Sequence, residues 1–349
     1  MKILFISGGK GVDYQCDVVF HGLKMLYGKD IYETSDNWFM FNDASEEQRA
    51  ELYGKGFTIT GLLDPELKNV IPIYEIRKKV KQKFFDLIVY GSIWRCQDFF
   101  GLVSLFYPKE RIVAIDGEDE TLFKNFFVGK TLYFKRELDN VYKNVFPISF
   151  GIPKEKLIDE IKQKERTLAH IIPGDISTYI YDNESAYYND YAISYFGKTT
   201  KKSGWDCLRH YEIMANGCIP WFPDLPECPK ETMISFPKDI ILKTNELFDV
   251  ISKNENTCND KLLKEYCERI LTFTKENLVT EKIAEHLINT ALNQKAGKID
   301  SKIKLHIQWF LYNPVRLWEK ITAKLWKKVK RKIGKIRIIR KIYGHITSR

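Results

Sequence analysis

The sequence predicts an α/β protein made of two units, each with a parallel sheet between layers of helices. Short apolar runs alternate with stretches of helical periodicity over residues 1–230, as is typical of parallel strands connected by helices. The chain has 349 residues, enough for two domains of about 150 residues each. Its hydrophobic content of 44% can fill two cores, and no run reaches the ~20 apolar residues of a membrane-spanning helix.

The elements of the first unit are predicted from apolar runs that end in turns. Ile3-Leu4-Phe5-Ile6 predicts the first strand, and Gly8 and Gly9 follow it directly. Apolar residues at helical spacing predict a helix over residues 13–27. Further strands are predicted over residues 85–90, 111–115, 131–134 and 145–150.

The second unit is predicted to begin after Gly151-Ile152-Pro153, where a charged segment interrupts the apolar runs. Strands are predicted over residues 167–172, 191–196 and 218–222, and a helix over residues 204–216. Helical patterns dominate residues 262–292. The predicted division is residues 1–152, residues 153–300 and a tail of residues 301–349. Because ligands bind at the carboxyl ends of parallel strands, a cleft between the two units is expected to hold the site.

The net charge of +9 is concentrated in the tail. Residues 301–349 hold 15 of the 55 basic residues and one of the 46 acidic residues, which leaves a net charge of −5 on residues 1–300. Apolar residues recur every fourth position from Leu317 to Ile333, with lysines and three tryptophans beside them. This pattern predicts an amphipathic helix on an anionic membrane surface. Nucleic-acid binding and a solvated tail are the alternatives.

The seven cysteines contain no CxxC pair, and no secretory signal precedes them, which favours reduced thiols in a cytoplasm. Cys207, His210 and Cys218 suggest a metal site only weakly, because their spacing matches no compact zinc pattern. Buried cysteines are the better interpretation, and we predict neither a metal nor a cofactor.

The segment of residues 195–220 holds the strongest indication of a ligand. A strand leads into a polar loop with Lys198, Lys201 and Lys202, a helix is predicted to begin near residue 203 or 204, and Gly217 ends it. Free amides at a helix start together with lysines would bind a diphosphate. Arg209 and Glu212 lie three residues apart and share a helix face. A solvated loop with a surface ion pair is the alternative.

The pattern Arg209-x-x-Glu212 followed by Gly217-Cys218-Ile219-Pro220 resembles the donor-nucleotide helix of GT-B glycosyltransferases. The chain looks most similar to exostosin-like and spore-maturation-protein-like bacterial sugar transferases, also at residues 13–23, 115–119 and 134–138. The resemblance covers residues 2–233 and implies two Rossmann-like domains, with the acceptor side in residues 1–152 and the donor side in residues 153–300. It assigns the ribose hydroxyls of a nucleotide sugar to Glu212, since a carboxylate accepts two hydrogen bonds.

The donor site predicted from this loop and this resemblance combines basic, small and aromatic residues. Many retaining GT-B enzymes have a second Glu eight positions before the ribose-binding one. Gly204 stands there in this chain, which weakens a retaining mechanism, and Asp206 is a possible replacement. Lys135 and Arg136 follow a strand and are either phosphate ligands or a surface pair. The full prediction is Lys135, Arg136, Lys198, Thr199, Lys201, Lys202, Gly204, Trp205, Asp206, Arg209, Glu212 and Gly217.

The acceptor side is predicted around the first strand. The resemblance places the loop with Gly8, Gly9 and Gly11 in the cleft, and an inverting transferase needs one general base there. Asp17 and His21 are four residues apart on the predicted helix and share a face, so they could pair, although a packing histidine is the alternative. The candidate bases are Asp13, Asp17, His21, Asp116 and Glu118.

The resemblance and the tail together predict a metal-independent glycosyltransferase that is cytoplasmic and peripheral on the inner face of the membrane. It would move a sugar from a nucleotide-sugar donor to a lipid-linked acceptor during synthesis of a surface glycan such as lipopolysaccharide or capsule. Nucleic acid is not an expected partner. Two other functions stay open, a non-catalytic nucleotide-sugar or glycan-binding protein and a sugar-nucleotide epimerase on the same fold.

Overall fold

A computed structural model describes residues 1–9, 11–253 and 260–293. The tail of residues 301–349 lies outside the described residues, so its helix and its membrane contact stay predictions. Within the described ranges, none of the helices combines the length and the apolar character that crossing a bilayer requires.

The first unit has a six-stranded sheet in which all neighbouring strands are parallel. The sheet confirms the predicted strands, although the last is shorter than expected, and it adds one that the sequence did not indicate, the three residues of β2. In chain order the strands are β1 (Ile3–Ile6), β2 (Ile31–Glu33), β3 (Leu87–Tyr90), β4 (Ile112–Asp116), β5 (Leu132–Lys135) and β6 (Val145–Pro147), and their spatial order is β2-β1-β3-β4-β5-β6.

Helices cover both faces of this sheet because successive strand residues point to opposite sides. Phe5 packs in the same core as Leu23 of the first helix, whereas Leu4 packs with Ile76 and Phe100 on the opposite face. Both faces are therefore buried, which explains the unbroken apolar strands. The helices are α1 (Tyr14–Tyr27), α2 (Glu46–Ala50), α3 (Ile73–Lys81) and α4 (Phe100–Phe106).

The second unit has a smaller parallel sheet with strands β7 (Arg166–Leu168), β8 (Ser194–Lys198) and β9 (Ile219–Trp221) in that order. Its helices are α5 (Glu184–Ala192), α6 (Leu208–Ala215), α7 (Lys238–Lys253) and α8 (Asp260–Asn277). Three predicted limits were wrong, the first because β7 ends at Leu168 rather than at residue 172. Tyr191 belongs to α5 rather than to a strand. Helix α6 begins at Leu208 rather than near residue 204, because Glu137 of the first unit accepts hydrogen bonds from the amides of Trp205 and Asp206.

The last described helix, α9 (Thr280–Asn293), returns to the first unit and packs along α1. A Cβ on Gly22 of α1 would lie 2.1 Å from the carbonyl oxygen of Thr280, so the contact requires glycine. The amide of Ile152 donates to Leu278 and that of Thr280 donates to Ile152, at 2.9 and 3.0 Å. The chain after the second sheet thereby braces the first unit. The predicted α/β class is confirmed for the described residues: two units with parallel sheets face each other across a cleft.

Candidate functional site in the cleft between the two units

A cavity of about 610 Å³ lies between the two units. The first unit contributes the start of α1, the loop of residues 53–57, the turn after β4 and Arg136. The second unit contributes aromatic residues on and before α5 and the residues around the start of α6. The cavity thus lies beyond the carboxyl ends of parallel strands, where α/β proteins bind ligands.

Glu212 lies on α6 and lines this cavity. Its Oε1 accepts a hydrogen bond from the Thr58 hydroxyl at 2.5 Å, and its Oε2 accepts one from the Tyr187 hydroxyl at 2.6 Å. Burial raises the pKa of Glu212. Both carboxylate oxygens therefore already bind hydroxyl groups, the type of partner that a ribose offers.

Arg209 lines the same cavity one helical turn before Glu212. Its guanidinium lies 5.8 Å from the centre of the Tyr179 ring, and its buried Nε has no hydrogen-bond partner. Among the described ion pairs, none includes Arg209 or Lys202, which also lines the cavity. The cleft therefore presents two cations beside the start of α6 that form none of the described ion pairs, although Glu212 lies close enough to Arg209 for the two charges to attract each other.

Five tyrosines between residues 179 and 191 are close enough in the sequence to suggest stacking on a base or sugar, but they have separate positions in the structure. Tyr179 and Tyr181 line the cavity beside Ile171, as does Tyr187. Tyr188 donates to or accepts from the Thr58 hydroxyl at 2.7 Å, and Tyr191 is fully buried in the core of the second unit. Stacking thus stays a prediction for Tyr179 and Tyr181, whereas Tyr191 is a core residue.

Lys135 and Arg136 do not project freely toward a ligand. Lys135 Nζ lies 2.9 Å from Asp116 Oδ1, and both side chains are fully buried. Asp116 also accepts a hydrogen bond from Tyr133 at 2.5 Å, so the expected phosphate ligand and the expected base neutralise each other inside the first unit. Arg136 lines the cavity but is 2% exposed, and it donates to the carbonyl groups of Gly117 and Asp206. Its role is to join the two units.

Gly204 and Asp206 belong to the same inter-unit contact. A Cβ at position 204 would lie 2.6 Å from Glu137 Oε1, so the close approach of that carboxylate requires glycine. Asp206 accepts hydrogen bonds from the Phe150 amide at 2.8 Å and the Tyr211 hydroxyl at 2.9 Å. Burial raises the pKa of Asp206 to about 6. Both residues line the cavity, yet Asp206 is bound from two sides as a structural carboxylate.

The other predicted donor residues lie outside the cavity lining. Lys198 and Lys201 lie over the rings of Trp221 and Trp205, at 4.9 and 5.0 Å from their centres. Thr199 is buried and pairs with His210 at 2.8 Å. Gly217 has a positive φ of 59° directly after α6, where it ends the helix. These residues shape the loop and the helix end rather than the wall of the cleft.

The candidate bases also have separate positions. Asp13 and Glu118 line the cavity, and Asp13 pairs with Arg95 at 3.0 Å. Asp17 is buried behind them and accepts the Asp13 amide at 2.8 Å. His21 does not pair with Asp17: it is fully buried and its Nδ1 contacts the Thr280 hydroxyl of α9 at 2.8 Å. The expected Asp17–His21 pair is therefore wrong, because α9 packs against this face of α1.

The glycine loop after β1 lies next to the cleft but not in its lining. Gly9 has a φ of 60°, and a Cβ there would lie 2.8 Å from that of Ser35. Gly11 has a φ of 120°, and an added Cβ at Gly8 or Gly11 would meet open space. Val12, the next residue of this segment, does line the cavity. The turn thus leads into α1, whose first residues line the cavity from the first unit.

The sequence did not indicate Thr58 or Arg95 as site residues. Thr58 belongs to a loop with positive φ at Gly54, Gly56 and Gly61, and this density of glycine is the one signal that could have drawn attention to it. Arg95 has no such signal, since only folding brings it beside Asp13.

The weak metal interpretation of Cys207 and His210 also finds no support in the fold. Both ring nitrogens of His210 already have partners, the Thr199 hydroxyl and the Trp205 carbonyl, each at 2.8 Å. Over the described residues, no group of three or more His, Cys, Asp or Glu side chains could hold a metal ion.

Comparison with known proteins found similar structures but no sequence relatives. No family model and no curated protein matches the sequence. Similar solved structures include an α-glucosyltransferase in complex with UDP and a 13-mer DNA, with 11% identity, a TM-score of 0.46 and coverage of 83% of this chain and 99% of that chain. HepE of Anabaena in complex with UDP-glucose has 10% identity, a TM-score of 0.44 and coverage of 84% and 100%.

MurG of Acinetobacter baumannii is also similar, with 9% identity, a TM-score of 0.36 and coverage of 84% and 99%. At this level of similarity the neighbours carry no argument about chemistry. The function of this chain is therefore argued from its own cleft residues.

Proposed function

We propose that this protein is a glycosyltransferase that uses a nucleoside-diphosphate sugar as its donor. The observation that carries the proposal is the pair of Arg209 and Glu212 on one face of α6. A cation whose buried Nε has no hydrogen-bond partner and a carboxylate that binds hydroxyl groups line the same cavity, one helical turn apart. A nucleoside diphosphate offers an anion and a ribose diol at a similar separation.

In the proposed donor site, Arg209 and Lys202 bind the diphosphate beside the start of α6, and Glu212 accepts the ribose hydroxyls. Ile171, Tyr179 and Tyr181 form an apolar and aromatic wall on which a base could stack. The sugar would then extend toward the first unit, where Asp13 and Glu118 line the opposite wall.

The reaction transfers a glycosyl group between two oxygens. The acceptor hydroxyl oxygen forms a bond to the anomeric carbon, the bond from that carbon to the phosphate oxygen breaks, and the nucleoside diphosphate leaves with the electron pair. A carboxylate takes the acceptor proton. Glu118 is the proposed base because burial raises its pKa, which makes it a stronger proton acceptor than an ordinary carboxylate. Asp13 is the alternative, and it pairs with Arg95 at 3.0 Å.

The proposed acceptor is linked to a lipid, within synthesis of a surface glycan on the inner face of the membrane. An exposed surface of the first unit supports this. Val70, Ile73 and Tyr74 are 45, 60 and 70% exposed, and Val70 pairs with Glu33 at the carboxyl end of β2. Arg77, Lys78 and Lys81 on α3 lie beside them. Exposed apolar residues bordered by cations suit an anionic lipid surface, and this patch lies beside β2, the edge strand of the first sheet.

A donor screen tests the proposal. The protein is incubated with a panel of labelled nucleotide sugars and a membrane extract, and transfer of label to the extract is the expected result. Binding without turnover would favour a non-catalytic nucleotide-sugar or glycan-binding protein, and an isomerised donor would favour an epimerase. A lack of binding by every nucleotide sugar would contradict a transferase, an epimerase and a nucleotide-sugar-binding protein, and would leave only a glycan-binding protein.

Metal independence is a separate part of the proposal. Arg209, Lys202 and the amides at the start of α6 can balance the diphosphate charge, so activity should survive EDTA. Complete loss of activity with EDTA, restored by magnesium or manganese, would contradict this assignment of the diphosphate to protein groups.

A further inference from the structure

The loop of residues 53–58 connects the first unit to the donor-side unit through Thr58. Thr58 is fully buried, and its hydroxyl contacts Glu212 Oε1 at 2.5 Å and the Tyr188 hydroxyl at 2.7 Å. Its amide donates to Glu184 Oε1 at 2.5 Å. Nearby, Lys55 Nζ lies 2.9 Å from Asp182 Oδ1. These partners of Thr58 and Lys55 all belong to the second unit.

The backbone of this loop is strained. Thr58 has a φ of 75° and Lys55 a φ of 56°, and positive φ is unfavourable for side chains with a Cβ, most of all for β-branched ones. Gly54 and Gly56 also have positive φ. Strain of this kind persists only where surrounding contacts hold it, and it clusters at ligand clamps and switches. The contacts with Glu184, Tyr188 and Glu212 are what hold Thr58.

We propose that Thr58 is a ligand-replaceable latch: its hydroxyl occupies Glu212 Oε1 in the ligand-free protein, and a ribose hydroxyl of the nucleotide takes its place. This inference rests on the proposed function. Glu212 is 7% exposed and each of its oxygens already has a hydroxyl partner, so the Thr58 hydroxyl takes up the position at Oε1 that a ribose hydroxyl needs. Donor binding would therefore release the strained loop from the second unit.

The latch has a consequence that a merely structural contact lacks. Ligand binding normally slows amide hydrogen exchange around a site. Here the nucleotide should speed exchange of the loop, because the Thr58 amide loses its bond to Glu184 when the latch opens. The Lys55–Asp182 pair is exposed and offers little resistance.

The first test is hydrogen exchange of the unmodified full chain with and without UDP. We expect faster exchange over residues 53–60 and slower exchange around α6 in the UDP complex. Slower or unchanged exchange of the loop, together with protection of α6, would overturn the latch while leaving the proposed function intact. If α6 is not protected by UDP or by any other nucleoside diphosphate, both the proposed function and the latch are contradicted.

The second test compares Thr58→Ala with Thr58→Ser by calorimetric titration with UDP. Both variants keep a Cβ at the same positive φ, so backbone strain is matched and only the hydroxyl differs. Loss of the competing hydroxyl should make Thr58→Ala bind UDP about tenfold more tightly than Thr58→Ser, since hydrogen bonds to charged groups are worth about this much. Equal affinity, or weaker binding by Thr58→Ala, would overturn the latch.

Discussion

Arg209 offers the sharpest test of the proposed donor site. Arg209→Met removes the charge and the guanidinium donors but keeps an apolar chain beside Tyr179. A charge pair at ~4 Å contributes up to about 4 kcal/mol in a protein environment, and a hydrogen bond to a charged group contributes about 1.5–3 kcal/mol. Because Arg209 is partly exposed, we expect a loss of roughly 2 kcal/mol, or about a 30-fold weaker Kd for UDP.

The assay is calorimetric titration of UDP, UMP and uridine into both proteins. UDP affinity should fall most, UMP affinity less, and uridine affinity should be unchanged, because Arg209 is assigned to the phosphates alone. The affinity of the unmodified protein for UDP should weaken with salt more steeply than that of the variant. Lys243→Ala, an exposed cation on α7, is the matched control and should bind UDP normally.

Stability distinguishes a binding role from a structural one. The described ion pairs do not include Arg209, although its charge attracts that of Glu212, so its removal should lower Tm by no more than a few degrees. An equal loss of affinity for uridine and UDP, or unchanged affinity for both in a folded variant, would refute the assignment.

Three further predictions concern Glu212, His210 and the tail. Glu212→Ala should lower kcat/KM for the donor, by an amount equivalent to roughly 1–3 kcal/mol of transition-state stabilisation. The control Glu246→Ala, on the exposed side of α7, should leave kcat/KM unchanged. Unchanged kinetics in a folded Glu212→Ala would remove Glu212 from the site. Burial lowers the pKa of His210 to about 3, so its contribution to stability is complete above pH ~6.5 and is lost as the pH falls below that value. The free energy of unfolding, measured by urea denaturation, should therefore fall between pH 6.5 and 5 by ~2 kcal/mol more in the unmodified protein than in His210→Gln. An equal fall in both proteins would contradict a neutral buried imidazole. Deletion of residues 324–349 should move the protein from membrane to soluble fractions and preserve turnover of a soluble acceptor. The tail is not the anchor if the shortened chain still sediments with membranes and a peptide of residues 301–349 does not bind vesicles.

The fold class follows from local patterns in the sequence. Apolar strands such as residues 3–6 and 87–90 are recognisable because burial on both faces requires an unbroken apolar run. The periodicity of α1 and the spacing of Arg209 and Glu212 on α6 are equally local, and both have the secondary structure that the pattern indicated. β2, with three residues, was too short to produce a recognisable pattern.

Which residues line the cleft depended on contacts between distant parts of the chain. Lys135 looked like a phosphate ligand until folding paired it with Asp116, and His21 looked like a base until α9 covered it. Local spacing determines which residues share a helix face, so the sequence by itself determined most of the strands, helices α1 and α6, and the Arg209–Glu212 pair. Thr58 and Glu212 are 154 positions apart, and only the closing of one unit against the other brings the hydroxyl to the carboxylate.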